Sequence, residues 1–256
     1  MPYDLSTKVA LITGVSRRVG IGAAIARQLA QCGANICTTY YRPYDARMPW
    51  GSNSDEAEAI IAELQEMGVR AIGLEADLAD PQAPVAIFEQ AQAALGHIDI
   101  LINNATQDDP ASIDTLEAAL LDQHYAVNIR GMLLLCREFA KRHDGREGGR
   151  IISLTSGQGL GPMPESLPYV ASKGAIEALT ISLSGALSPR NITVNAVDPG
   201  ATDTGWISPQ LRADLLAQAP FKRLGLPDDA ARLITFLASP EGRWITGQIL
   251  RSRGGM

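Results

Sequence analysis

Short, almost wholly apolar runs alternate with longer stretches of helical period along the whole chain. The seven apolar runs read KVALIT, ANICTTY, VRAIGLEAD, IDILINN, GRIISLTS, NITVNAV and GQILR. Helical periodicity falls between them, over residues 22–31, 54–67, 81–95, 132–141, 169–187 and 227–238. Strands that are apolar throughout and separated by helices are typical of a parallel sheet covered on both faces. The pattern therefore predicts an α/β fold, with a doubly wound, seven-stranded parallel sheet in a single domain over residues 1–256.

Composition narrows the function classes. The 256 residues carry a net charge of −6, so neither nucleic acid nor an anionic membrane surface is an expected partner. The apolar runs are too short to cross a bilayer, and the first residues lack the pattern of a signal peptide. We therefore expect a soluble, cytoplasmic protein. The three cysteines, Cys32, Cys37 and Cys136, are odd in number and lie in apolar stretches, so reduced core thiols are expected. The three histidines, His97, His124 and His143, are scattered along the chain, so no metal centre is expected.

A glycine-rich turn follows the first predicted strand, in the segment TGVSRRVGIG. Ligands of doubly wound sheets bind at the carboxyl ends of the strands, so chemistry is expected in this turn. Gly14, Gly20 and Gly22 would allow a pyrophosphate to approach the backbone closely at the start of the next helix. Glycine is common in any strand-to-helix loop, but this position in the chain favours nucleotide binding.

A second candidate is the segment PYVASKGAIEALT, which places Tyr169 and Lys173 four residues apart on one face of a helix. In one interpretation the pair lies on a solvated helix face. In the other, the ammonium group lowers the pKa of the phenol, so that Tyr169 acts as an acid near neutral pH.

Taken together with four further motifs, these segments resemble the short-chain dehydrogenase/reductase family, in its single-domain branch similar to 3-oxoacyl-(acyl carrier protein) reductases. The glycine turn matches the family's T-G-x3-G-x-G motif, with two extra residues between Gly14 and Gly20. ADLAD and NNAT match two motifs near the adenosine, with Thr106 replacing a glycine. YAVNIRG supplies Asn128, and IISLTSG supplies Ser156, thirteen residues before Tyr169.

The resemblance implies a Rossmann-type fold and an oxidoreductase that transfers a hydride between NADP(H) and a carbonyl or secondary alcohol. 3-Oxoacyl thioesters are among the expected substrates. Tyr169 would exchange a proton with the substrate oxygen. Lys173 would lower the pKa of Tyr169 and bind the ribose of the nicotinamide. Ser156 would donate a second hydrogen bond, and Asn128 would hold a water molecule linked to Lys173. The implied cofactor-binding residues are Gly14, Ser16, Arg17, Arg18, Gly20, Ile21, Gly22, Arg42, Asp77, Leu78, Asn104, Ala105, Tyr169, Lys173, Pro199, Gly200, Thr202 and Thr204.

The end of the second strand favours NADP(H) over NAD(H) as the cofactor. NAD-preferring sites usually carry an acid there, which binds the ribose 2′-hydroxyl. This chain instead has hydroxyl residues over 38–41, followed by Arg42, and the glycine turn adds Arg17 and Arg18. Guanidinium groups suit a 2′-phosphate. One alternative is that the protein uses NAD(H). Another is that the three arginines lie on the solvated rim and do not bind the cofactor.

Two other function classes share parts of this pattern. A non-catalytic dinucleotide-binding sensor would not need all of Asn128, Ser156, Tyr169 and Lys173. A sugar-nucleotide epimerase or dehydratase shares the Tyr-x3-Lys pair but generally has a larger carboxyl-terminal substrate region. Trp50 is expected to pack its own loop, with a cover over the adenosine as the alternative. For Trp206, a role in a substrate lid and plain packing are equal alternatives.

The closing segment departs from the family, because Ser252-Arg253-Gly254-Gly255 replaces the usual V-D-G-G. The expectation is an altered subunit contact with the catalytic residues left untouched.

The resemblance also implies a homo-oligomer, expected to be a tetramer. The segments MLLLCREFA and IEALTISLSGALS carry more apolar residues than one sheet-facing stripe needs, which favours a second covered helix face. Light scattering at micromolar concentration is expected to give a mass several times that of one chain. A mass equal to a single 27.3 kDa chain would contradict this expectation.

Overall fold

All seven predicted strands form one parallel sheet. The computed structural model describes residues 3–52 and 55–255. The strand order is β3-β2-β1-β4-β5-β6-β7, and every neighbouring pair is parallel. The strands are β1 (Val9–Ile12), β2 (Asn35–Tyr40), β3 (Ala71–Glu75), β4 (Ile100–Asn103), β5 (Gly149–Leu154), β6 (Ile192–Asp198) and β7 (Ile249–Arg251). The predicted fold class is confirmed.

Burial on both faces explains why the strands are apolar throughout. In β1, Ala10 and Ile12 belong to one buried cluster, while Val9 and Leu11 belong to the other. Successive side chains of a strand point to opposite faces, so each face of the sheet has its own core. Polar alternation is absent from the sequence of β1 because neither of its faces meets water.

The described helices cover both faces. They are α1 (Ile21–Gln31), α2 (Arg42–Arg47), α3 (Glu56–Glu66), α4 (Ala83–Leu95), α5 (Ala118–His124), a π-helix (Tyr125–Gly131), α6 (Met132–Arg142), α7 (Leu167–Leu187), α8 (Pro209–Gln218) and α9 (Pro227–Ala238). The bounds of α9 are those predicted, because Pro227 starts the helix and Asp229 Oδ2 accepts a hydrogen bond from the Leu226 amide at 2.8 Å. The predicted start of α3 at Ser54 lies outside the described residues, as does Met256.

Three helices and the π-helix are absent from the expectations drawn from the sequence. α2 lies in the segment between β2 and α3, α5 leads into the π-helix, and α8 follows Trp206. α2 has six residues, α5 has seven, and α8 has no buried residue. Such elements leave a weak apolar periodicity in the sequence.

Cys32, Cys37 and Cys136 are buried and free of disulfide bonds, as expected. Burial raises the pKa of the Cys37 and Cys136 thiols to about 12. Among the described residues, none of the helices is long and apolar enough to cross a bilayer.

Candidate active site

A large cavity lies at the carboxyl ends of the strands, where the order of the sheet reverses between β1 and β4. It has a volume of about 1530 Å³. A crevice at this position is the expected ligand site of an open α/β sheet. The residues of the sequence-predicted site that line the cavity are Gly14, Ser16, Arg17, Gly20, Ile21, Gly22, Asp77, Leu78, Asn104, Ala105, Ser156, Tyr169, Pro199, Gly200, Thr202 and Thr204.

The glycine turn and the end of β4 are joined by hydrogen bonds and close packing. Asn104 Nδ2 donates to the carbonyl oxygens of Thr13 at 2.8 Å and Gly14 at 2.9 Å. Gly14 has a φ of +71°, and a Cβ there would lie 2.6 Å from Ala105 Cα. A Cβ on Gly22 would lie 2.7 Å from Asn104 Nδ2. Two of the three motif glycines are therefore required by the close approach of these turns.

The start of α1 fits the pyrophosphate of a dinucleotide. The helix begins at Ile21, Gly20 provides no side-chain cap, and the first turn contains no acidic residue. The first amides of a helix lack intrahelical acceptors and carry a partial positive charge, so they suit an anion. Together with the length of the cavity, which extends from this turn to Tyr169, the residues present fit a dinucleotide.

The three candidate arginines differ in their surroundings. Arg17 lines the cavity, where its Nη2 donates to the Thr204 carbonyl at 2.6 Å and its Cζ lies 4.3 Å from the centre of the Trp50 ring. Arg18 pairs with Glu63 at 3.1 Å. Arg42 pairs with Glu58 and, at 2.5 Å, with Glu75. Of the three arginines, only Arg17 is in the cavity lining.

Ser156 and Tyr169 meet at the wall of the cavity. Ser156 follows β5, and Tyr169 is in the first turn of α7. Burial raises the pKa of Tyr169 to about 12, while interaction with the Ser156 side chain acts in the opposite direction. The negative charges of Asp108 and Asp198 raise this pKa further.

Lys173 is a neighbour of Tyr169, as the spacing predicts, and its ammonium group forms a hydrogen bond to the backbone at the end of β5. Its Nζ donates to the Leu154 carbonyl at 2.9 Å and lies 5.4 Å from the centre of the Tyr169 ring. Burial lowers the pKa of Lys173 to about 8. Desolvation of the phenol dominates in this structure, so the net pKa of Tyr169 is raised, and a lowering effect of Lys173 on it stays a prediction. The solvated-face interpretation is wrong, since Lys173 is only 3% exposed.

Asn128 connects three elements behind the cavity. It lies in the π-helix, is 2% exposed, and accepts a hydrogen bond from the Gln107 amide at 2.7 Å. Its Nδ2 donates to the Gln107 carbonyl at 2.9 Å and to Ser172 Oγ at 3.0 Å. Asn128 therefore fixes the loop after β4 against α7, one residue before Lys173. Its role in holding a water molecule stays a prediction.

Trp50 and Trp206 each donate a hydrogen bond at the cavity wall. Trp50 Nε1 donates to Asp45 Oδ1 at 3.0 Å, which accords with packing of its own loop, although its ring also lines the cavity. Trp206 is half exposed, and its Nε1 donates to the Thr202 carbonyl at 3.1 Å. It lies three residues before α8 begins at Pro209.

Sequence reasoning missed two charged residues near Ser156 and Tyr169. Asp108 lines the cavity, and partial desolvation there raises the pKa of its carboxyl group. Its position two residues after the NNAT motif was the available signal. Arg253, in the closing segment, forms an ion pair with Asp198 and approaches Gly157, the residue after Ser156. The departure from V-D-G-G therefore reaches the neighbourhood of the predicted catalytic residues.

Two of the three histidines are close in space despite their separation in the sequence. The ring centres of His97 and His143 are 5.4 Å apart, and Asp144 completes a group whose ligand atoms lie within 4.8 Å of one another. Asp144 is paired with Arg146. None of these four residues lines the cavity.

Comparison with known proteins gives concordant matches over nearly the whole chain. A family model described as enoyl-(acyl carrier protein) reductase matches residues 14–256. An uncharacterized oxidoreductase of Bacillus subtilis, YjdA, is 48% identical, covering 97% of this chain and 96% of that protein. The 3-oxoacyl-(acyl carrier protein) reductase FabG of Staphylococcus aureus is 33% identical, covering 98% of each. A crystal structure of a short-chain dehydrogenase from Burkholderia cenocepacia in complex with NADP is 37% identical and superposes with a TM-score of 0.88, covering 98% of both chains.

Replacement of Asn128 by alanine is expected to destabilise the protein. The amide of Gln107, a buried residue, would lose its partner, which costs about 1–3 kcal/mol for an unsatisfied group. The Gln107 carbonyl would lose its 2.9 Å bond and keep only the 3.4 Å bond from Thr106 Oγ1. Denaturant unfolding of Asn128→Ala measures this loss. Gln90→Ala, on the exposed face of α4, is the control, with an expected change below about 0.5 kcal/mol. Equal stabilities of the two variants would contradict the assigned contacts.

Proposed function

Because this chain belongs to the short-chain dehydrogenase/reductase family, we propose that it transfers a hydride between NADP(H) and a carbonyl or secondary alcohol. The observation that carries the proposal is the meeting of Ser156 and Tyr169 at the wall of a cavity whose other end is the glycine turn. A cavity that joins a phosphate-binding turn to an acid–base pair suits a dinucleotide and a small substrate together. 3-Oxoacyl thioesters belong to the proposed substrates, and the similarity to FabG supports their inclusion.

Tyr169 is proposed as the general acid in reduction and the general base in oxidation. With its pKa raised to about 12, the phenol is protonated near neutral pH, which is the state needed to protonate a developing alkoxide. The bound nicotinamide would supply or accept the hydride. Ser156 would donate a second hydrogen bond to the same substrate oxygen, so that negative charge is stabilised as it forms.

Lys173 and Asn128 are proposed to support this pair from behind. Lys173, with its pKa lowered to about 8, titrates within the range in which the enzyme would work. It would bind the ribose hydroxyls after leaving the Leu154 carbonyl. Asn128 would keep α7 and the loop after β4 in register through its bonds to Ser172 and Gln107.

The remaining cofactor contacts are proposed from the cavity lining. The glycine turn and Ile21 would hold the pyrophosphate, Asp77 and Leu78 the adenine, and Asn104 and Ala105 the adenosine side. The loop after β6 would close over the nicotinamide, through Pro199, Gly200, Thr202 and Thr204.

We propose NADP(H) as the preferred cofactor, with Arg17 as the principal contact of the 2′-phosphate. β2 ends at Tyr40, and Asp45, the first acid after it, accepts a hydrogen bond from Trp50. Arg17 lines the cavity, whereas Arg18 and Arg42 pair with glutamates. The NADP complex of the Burkholderia cenocepacia dehydrogenase supports the same choice.

A homotetramer of this chain is also proposed. Ile181 on α7 is 59% exposed, within one of the two segments that are more apolar than a single sheet-facing stripe needs. A second covered face on α7 would bury this side chain.

Removal of the Tyr169 hydroxyl is expected to abolish chemistry and spare cofactor binding. Tyr169→Phe should lower kcat about 100-fold or more, because a general acid contributes on this scale. The dinucleotide affinity, measured by fluorescence titration, should change little, since the phosphates are held by the glycine turn. Tyr3→Phe, whose ring packs on Phe236, is the matched control and should retain the parent kcat. Turnover of Tyr169→Phe within a few-fold of the parent would refute the assignment.

Cofactor preference is tested by kcat/KM for NADPH and NADH in the parent and three arginine variants. Arg17→Ala should lower the NADPH value about 10-fold or more relative to NADH, because a charged hydrogen bond is lost. Arg18→Ala is the adjacent control, with a smaller expected effect, and Arg42→Ala tests the third arginine. A parent that uses NADH better than NADPH contradicts the preference. An NADPH preference that survives all three substitutions means that other residues hold the phosphate.

A further inference from the structure

Arg253 reaches from the closing segment into the region behind the predicted catalytic residues. It follows β7, and its side chain is 20% exposed. Its Nη1 donates to both carboxylate oxygens of Asp198, at 3.1 and 3.0 Å. Asp198 is the last residue of β6, and its side chain is 1% exposed. The guanidinium group therefore compensates a carboxylate that is almost completely buried.

The same carboxylate fixes the loop that follows β6. Asp198 Oδ1 accepts a hydrogen bond from the Gly200 amide at 2.9 Å. The backbone of the closing segment joins this arrangement, since the Ser252 amide donates to the Asp198 carbonyl at 2.8 Å. Arg253, Asp198 and the start of the Pro199–Gly200 loop thus form one hydrogen-bonded unit.

The arginine side chain also packs against two glycines, one in the turn after β5 and one in the loop after β6. A Cβ on Gly157 would lie 2.4 Å from Arg253 Nη1, and a Cβ on Gly200 would lie 3.0 Å from Arg253 Cγ. Gly157 directly follows Ser156, and Gly200 belongs to the cavity wall. Arg253 therefore contacts both turns, the serine turn with its guanidinium group and the Pro199–Gly200 loop with the stem of its side chain.

We propose that Arg253 is a positioning residue, which sets the spacing between the Ser156–Gly157 turn and the Pro199–Gly200 loop through its ion pair with Asp198. This rests on the proposed function, in which Ser156 binds the substrate oxygen and the Pro199–Gly200 loop covers the nicotinamide. Neither turn can approach the other while Arg253 lies between them, and the ion pair prevents the arginine from leaving. The relative position of substrate and cofactor would follow from this spacing, and misplacement of about 1 Å can cost 100-fold in rate.

The charge of the pair has a separate consequence for Tyr169. The Asp198 carboxylate raises the pKa of Tyr169, as does Asp108 from the loop after β4, while the Ser156 side chain lowers it. Without the cation of Arg253, the carboxylate would act on the phenol uncompensated. In alcohol oxidation, where Tyr169 must accept a proton, the rise of kcat with pH would then move to higher pH.

The test compares Arg253→Met, Arg253→Lys and Arg251→Met. Methionine keeps the unbranched stem of the side chain but lacks the guanidinium group and its charge, lysine keeps the charge, and Arg251 is an exposed arginine two residues earlier in β7. Arg253→Met should lower kcat about 10-fold or more with a smaller change in substrate KM, and shift the pH profile of oxidation upward. Arg253→Lys should recover most of kcat and the parent profile. Arg251→Met should match the parent.

Hydrogen exchange supplies a measurement that does not need turnover. Peptides covering residues 155–158 and 199–202 should exchange faster in Arg253→Met than in Arg253→Lys or Arg251→Met. A variant Arg253→Met with parent kcat, pH profile and exchange overturns the proposal, and so does a lowered melting temperature as its only defect. If the parent itself reduces no carbonyl with NADPH or NADH, the proposed function fails. The exchange data would then still decide whether Arg253 fixes the two turns.

Discussion

The hydrogen bonds between the ends of β1 and β4 hold the two halves of the sheet together where the strand order reverses. Thr13 Oγ1 accepts from the amides of Asn104 and Ala105 at 3.1 and 3.0 Å, and Asn104 Nδ2 returns two bonds to the backbone of Thr13 and Gly14. Because the side chains of both strands are buried on both faces, the strands cannot shift relative to each other without exposing core. The cavity opens from this junction, so its floor is fixed before any loop contributes.

Around this fixed floor, the neighbouring elements supply the polar side chains of the site. β5 delivers Ser156, α7 delivers Tyr169 and Lys173, and the π-helix delivers Asn128. A π-helix inside a helical segment is rare and occurs frequently at functional sites. Here it orients one amide side chain toward Gln107 and Ser172 at once. The Leu154 carbonyl holds Lys173, and burial is the dominant influence on the pKa values of Tyr169 and Lys173.

The sequence predicted the elements that have a long apolar period and missed those that do not. All seven strands and the helix over 227–238 follow from patterning and a proline start, whereas α2, α5 and α8 are short or expose most of their residues. For the site, most residues predicted from motif order line one cavity, whereas Arg18, Arg42, Asn128 and Lys173 lie outside its lining. The ion pairs could not be predicted from the sequence, because their partners are far apart along the chain. Arg42 pairs with Glu75, 33 residues away, and Arg253 pairs with Asp198, 55 residues away. The direction of the Tyr169 pKa shift was also missed, since burial is a property of the folded chain.

Arg17 carries a consequence for how the two ends of the cavity act on each other. It lies in the glycine turn, its guanidinium stacks on Trp50, and it donates to Thr204 in the segment that precedes Trp206. Movement of that segment away from the cavity breaks the bond to Thr204, so the position of Arg17 and the position of the segment are energetically linked. Under the proposed function, in which Arg17 contacts the cofactor, a ligand that draws Arg17 away from Thr204 would also release the segment. Such a linkage acts by the same factor in both directions.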